Sequence, residues 1–129
     1  MDEWYGDAIP DWLEIVPPTE DIASLFNQAN CYISASLKET MSMGIAEASL
    51  FGLPVIQSDI PGTWWNACTP SAFLFRVNDA NELAKRMRQV MEMPKDTMRA
   101  LCAKSQAINK ARLSIGRWSD TMIEIFENL

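Results

Sequence analysis

The 129-residue sequence contains no histidine. Ser-His-Asp and Cys-His hydrolysis, histidine zinc sites and histidine general bases are therefore unavailable from this chain. Cysteine is sparse too: Cys31, Cys68 and Cys102 stand more than thirty residues apart, with no close metal-ligand spacing. An odd count of this kind fits reduced thiols packed as small hydrophobes in a cytoplasmic protein. No apolar run is long enough to cross a membrane, and the amino terminus, M-D-E-W-Y-G-D, lacks the basic-then-apolar order of a signal peptide. Positive charge is also short, with 11 Lys and Arg against 17 Asp and Glu and a net charge of −6. That balance argues against nucleic acid, whose binding rests on neutralising phosphates.

What remains is an ordinary globular composition, 48 % hydrophobic and 22 % charged. The length suits one domain, residues 1–129, with no boundary, repeat or low-complexity segment inside it. W-L-E-I-V at 12–16 alternates as a short strand and P-P at 17–18 ends it, with Thr19 placed to cap a helix through Ile22, Leu25, Phe26 and Ala29. C-Y-I-S-A at 31–35 reads as a buried strand, and P-V-I-Q at 54–57 and A-F-L-F-R-V at 72–77 as further strands. Between the first two of these lies a helix from near Met43 or Gly44 to Phe51, terminated by Gly52. Beyond residue 78 the pattern is helical. Leu83, Met87, Val90 and Met91 form one face, Pro94 breaks it, and Met98, Leu101, Cys102 and Ile108 form a second. Gly116 separates a third face carrying Trp118, Met122, Ile125, Phe126 and Leu129. Strands alternating with helices give the fold class: α/β, a Rossmann-like parallel sheet of about four strands with helices on both faces. The helical methionines read as core filling. Trp64 and Trp65, near a strand's carboxyl end, favour packing or a domain contact over ligand stacking.

The candidate chemistry centres on E-T-M-S-M-G-I-A-E, residues 39–47. If a helix begins near Met43, Glu39 lies in the loop before it and Glu47 about one turn inside. The unpaired amides of the first turn, with the helix dipole, make a site for phosphate or diphosphate, and Ser42 and Gly44 keep the approach open. A carboxylate repels phosphate and accepts only from donors such as hydroxyls. A ligand with a diphosphate between two hydroxyl-bearing rings, as in a nucleotide sugar, would satisfy the whole segment. Spacing alone leaves two other readings open: a glycosidase carboxyl pair, or two solvated charges on a loop and a helix. A dinucleotide-dependent oxidoreductase is a more distant reading, since no G-x-G-x-x-G follows a strand.

The longer stretch S-L-K-E-T-M-S-M-G-I-A-E-A-S-L-F-G-L-P-V-I-Q-S-D-I-P-G, residues 36–62, resembles the core signature of retaining GT-B glycosyltransferases of the group 1 (family 4) type. The likeness extends back through V-P-P-T-E-D-I-A-S-L-F-N-Q-A-N-C-Y-I-S-A-S and forward through N-D-A-N-E-L-A-K-R-M to R-W-S-D-T-M-I-E-I-F, roughly residues 13 to 129. The resemblance implies that Glu47 binds the ribose hydroxyls of the nucleotide. It implies that Glu39 sits at the donor sugar, as the catalytic-site carboxylate, with main-chain amides around Met41, Ser42, Met43 and Gly44 facing sugar and diphosphate. It further implies transfer with retention and no metal ion or other cofactor, the substrate being a UDP- or GDP-sugar.

Two departures accompany it. The family commonly has Gly or Ser, an aromatic and Gly after the first glutamate, where this chain has Thr40, Met41 and Ser42. The family's basic pair that clamps the diphosphate has no counterpart before residue 13, and Lys38 does not match its position. The expectation is thus a partial GT-B carboxyl-terminal domain, a fragment or a natural truncation. It would bind donor for a hexosyltransferase-type enzyme of polysaccharide or glycolipid synthesis, and be inactive by itself. Its expected partners are a nucleotide sugar and a missing amino-terminal acceptor domain, without nucleic acid or a transmembrane segment; any peripheral membrane association would come through the parent protein. The alternative is a non-catalytic GT-B-like binding or assembly module.

Overall fold

A computed structural model describes residues 10–128. Along them run α1 (Ile22–Gln28), β1 (Tyr32–Ser34), α2 (Met43–Phe51), β2 (Val55–Ser58), a 3₁₀ turn (Pro61–Thr63), α3 (Trp64–Ala67), β3 (Ala72–Phe75), α4 (Ala80–Glu92), α5 (Lys95–Arg112) and α6 (Ile115–Glu127). The strands form one parallel sheet in the order β1-β2-β3, with Tyr32 opposite Val55 and Val55 opposite Ala72. All four residues of β2 are buried, as expected for the central strand of a parallel sheet covered on both sides.

Two apolar layers cover the sheet. On one face Ile45 and Ala48 of α2 pack with Val55, joined by Phe26, Tyr32 and Trp65. On the other, Ile56, Phe73 and Phe75 pack against Leu83 and Val90 of α4 and Met98 of α5. Helix α5 then runs back along α2, and polar bonds hold the two helices together. Gln106 Nε2 donates to the Leu50 carbonyl at 2.6 Å, and buried Asn109 Nδ2 donates to Ser49 Oγ at 2.6 Å and Asn66 Oδ1 at 2.8 Å. Asn66 Nδ2 in turn donates to Gln57 Oε1 at 2.8 Å. Each buried amide would be costly without a partner, so this network selects one seating of α5 over α2 and α3.

Several expectations need correction. Among the described residues the sheet has three strands, not four, because residues 12–16 pair with neither sheet edge. Their side chains meet solvent instead, with Trp12 81 % exposed. β1 is an edge strand with Ile33 exposed, not a buried one. Asp21, rather than Thr19, caps α1, accepting from Ser24 N at 3.0 Å, while Thr19 Oγ1 accepts from Asp21 N. Met91 does not fill the core: it is 80 % exposed, and Met87 is exposed as well. Gly116 lies inside α6, and the break precedes it at Leu113 and Ser114, where the Ser114 hydroxyl accepts from Arg117 N. The third apolar face lies on α6. Trp118, Ile125 and Phe126 are exposed there; Leu129 lies outside the described residues.

Candidate functional site

The carboxyl ends of the strands and the start of α2 meet on one side of the sheet, the position at which open α/β layers take their ligands. Ser42 begins α2 with extended backbone, and among the described residues no side chain caps the helix. Its carbonyl accepts from Ala46 N at 3.2 Å, the first bond of the helix. The amides of Met43, Gly44 and Ile45 thus head the helix as donors, and the dipole of its nine residues adds partial positive charge there. Ser42 is buried, Gly44 half-buried, and Met41 and Met43 are exposed beside them.

Glu39 occupies the loop between β1 and α2, half-buried, and its Oε1 accepts from Ser36 Oγ at 2.8 Å. Glu47 is half-buried one turn inside α2. Among the described residues neither carboxylate enters an ion pair. Among those residues both remain acceptors without a fixed cation, the state suited to hydroxyl ligands.

Tyr32 stands at the head of α2. Its ring stands edge-on to Phe26 at 6.1 Å between centroids, and its hydroxyl lies against Gly44, where a Cβ would overlap it. Burial raises the phenol's pKa, and the negative charges of Glu39 and then Glu47 raise it further, so the hydroxyl keeps its proton. The charge of both carboxylates is thus felt at the one hydroxyl that lies against Gly44. Sequence reasoning did not single out Tyr32; an aromatic with a polar tip on the strand below the helix was the available signal.

The S-D-I-P-G turn closes the other side. Pro61 opens the 3₁₀ turn, and Thr63 Oγ1 lies 2.8 Å from the Ser58 carbonyl and 2.9 Å from that of Ile60. Gly62 is pressed against the main chain of Glu39: a Cβ there would overlap the Glu39 carbonyl oxygen and stand 2.9 Å from the Glu39 Cβ. The two motifs adjacent in sequence are thus one packed unit. Trp65 joins the core beside α2, as the packing reading expected, whereas Trp64 is 56 % exposed with its Nε1 donating to Asp59 Oδ1 at 2.8 Å.

The cysteines stand apart from this site. Burial pushes the Cys31 thiol up to about 11 and raises that of Cys102, and all three thiols are free. Cys102 is buried, Cys31 half-buried and Cys68 exposed, so core packing describes the first two and not the third. Among the described residues no group of three or more His, Cys, Asp or Glu side chains could hold a metal ion, and no helix is long and apolar enough to cross a membrane.

A family model described as glycosyl transferases group 1 matches residues 4–93, a span that contains the Glu39–Glu47 segment, the S-D-I-P-G turn and all three strands. No curated protein and no solved structure gives a match.

Proposed function

The chain belongs to the group 1 glycosyltransferases, and from that premise we propose that the start of α2 is the nucleotide-sugar site of a retaining, GT-B-type enzyme. One observation carries the reading: among the described residues, the start of α2 has no side-chain cap and is flanked in sequence by two half-buried carboxylates, Glu39 and Glu47, that enter no ion pair. In this proposal the main-chain amides from Met41 to Gly44 meet the sugar and diphosphate. Glu47 accepts from ribose hydroxyls, and Glu39, the catalytic-site carboxylate, accepts from those of the donor sugar. As the bond to the anomeric carbon breaks, negative charge grows on the leaving diphosphate. Amides already aimed at that charge stabilise it without reorganising, and no metal ion is invoked.

The donor is a UDP- or GDP-sugar and the acceptor a glycan or glycolipid. In this proposal transfer needs an acceptor domain and a basic clamp for the diphosphate in addition to this layer, and residues 1–129 by themselves bind donor without turning it over. Peripheral membrane association and a cytoplasmic location belong to the same proposal. A second reading, a non-catalytic module of the same fold, is favoured by Thr40, Met41 and Ser42, which depart from the Gly or Ser, aromatic and Gly that the resemblance leads one to expect there.

Calorimetric titration of the chain with UDP- and GDP-sugars tests the proposal. Glu47→Ala removes a charged acceptor of ligand hydroxyls, an interaction of about 1.5–3 kcal/mol, so its affinity should fall roughly tenfold or more. An Ala variant with unchanged affinity would favour the non-catalytic module. Absence of binding to every donor by the unaltered chain would overturn the site itself.

A further inference from the structure

Glu39 sits on an irregular loop with no strand or helix to fix it, yet its carboxylate must point at one sugar for the proposed site to discriminate. Two contacts supply that constraint. From one side, Gly62 abuts the Glu39 carbonyl so closely that any side chain would collide with it. The glycine is needed here for space, since among the described residues only Gly52 and Asn78 have positive φ.

The turn carrying Gly62 is itself rigid. Thr63 Oγ1 bridges toward the Ser58 and Ile60 carbonyls, Gln57 Nε2 donates to the Thr63 carbonyl at 2.8 Å, and buried Asn66 holds Gln57. A side chain at Gly62 could not be relieved by moving this turn, so the loop bearing Glu39 would have to move. From the other side, Ser36 Oγ donates to Glu39 Oε1 at 2.8 Å, with Ser34 Oγ 3.5 Å behind it.

We propose that Gly62 and Ser36 are positioning residues for Glu39, Gly62 setting the main chain of the loop and Ser36 the direction of the carboxylate. This rests on the donor-site reading of Glu39 and deepens it: the sugar end of the ligand depends on Gly62 and Ser36, while the nucleotide end depends on Glu47. A shift of about 1 Å in a positioned group can cost on the order of a hundredfold in reaction rate, and misdirecting a charged acceptor costs binding as well. A hydrogen bond to a charged group is worth roughly tenfold.

The test compares the unaltered chain with Gly62→Ala and Ser36→Ala, titrating UDP-glucose and GDP-mannose against free UDP and GDP. Amide hydrogen exchange across residues 37–42 is followed without ligand. Gly62→Ala should weaken the nucleotide sugar about tenfold or more and the free nucleotide less than about twofold, and Ser36→Ala should do the same to a smaller degree. Exchange in residues 37–42 should quicken while α5 keeps its protection. An unchanged ratio of sugar-nucleotide to nucleotide affinity with unchanged exchange overturns the proposal, as does an equal loss for both ligands. Ser36→Ala, which removes one hydroxyl from a half-buried site, carries the test if Gly62→Ala does not fold. If the unaltered chain binds neither ligand class, the donor-site reading fails and the positioning claim is decided by exchange alone.

Discussion

Helices α2 and α6 draw on the same kinds of apolar side chain and end in opposite surroundings. In α2, Ile45, Ala46, Ala48 and Ser49 are all buried, and Phe51 reaches Phe26 at 5.3 Å between ring centroids. Sheet, α1 and α5 enclose it, so its sequence has apolar residues around most of its circumference and little one-sidedness. α6 has a marked apolar face, with Ile115, Trp118, Ile125 and Phe126, yet buries no residue. A 3.6-residue period reports that a face exists; whether anything covers it depends on the rest of the molecule. The enclosed helix carries the candidate site and the bare one carries none of it.

Truncation separates the two most sharply. Ile45→Ala removes a fully buried side chain and should cost about 2–5 kcal/mol in urea unfolding. Phe126→Ala, on a side chain 67 % exposed, should change stability by less than about 0.5 kcal/mol. A comparable cost for the two would break the comparison and show that α6 is covered in solution.

A smaller effect is expected where α2 ends. Gly52 has φ +88, and its N–H meets the Ala48 and Ser49 carbonyls, closing the helix in the left-handed conformation. Space is not the obstacle, since a Cβ there would find only Gln106 Nε2 at 3.8 Å. Gly52→Ala therefore isolates backbone strain and should cost about 1–2 kcal/mol in the same unfolding experiment. A neutral result would mean that α2 can close without the left-handed residue.

Legibility in the sequence follows the same division between local and long-range causes. β2 and β3 were readable because continuous apolar runs between turn signals are local, and Gly52 as a terminator because its conformation is local. Residues 12–16 show the converse: alternation marks a segment able to form a strand, while pairing requires a neighbour with a free edge in register. Glu39, Glu47 and the helix start were legible as a motif, and the α2 boundaries agree with it. The contacts that organise them were not, because Gly62 on Glu39 and Tyr32 on Gly44 join different elements and leave no period behind. A glycine in a turn signal reads as a turn residue whether or not another backbone lies against it.

Gly116 offers the finest probe of α6. As a separator between two helices it would resist a side chain, whereas in the observed helix it follows the Ser114 cap with helical neighbours on both sides. A Cβ there would meet only Ser114 Oγ at 3.7 Å, an ordinary contact, and its φ is not positive. Replacing a helical glycine with alanine then stabilises the helix by about 0.5–1 kcal/mol. Because α6 is barely packed, that gain should appear as local protection more than as a shift in global unfolding. Amide exchange across residues 115–127 should slow about two- to fivefold in Gly116→Ala, with the midpoint of urea unfolding nearly unchanged. Faster exchange would place the helix break at Gly116, where the sequence pattern alone had suggested it.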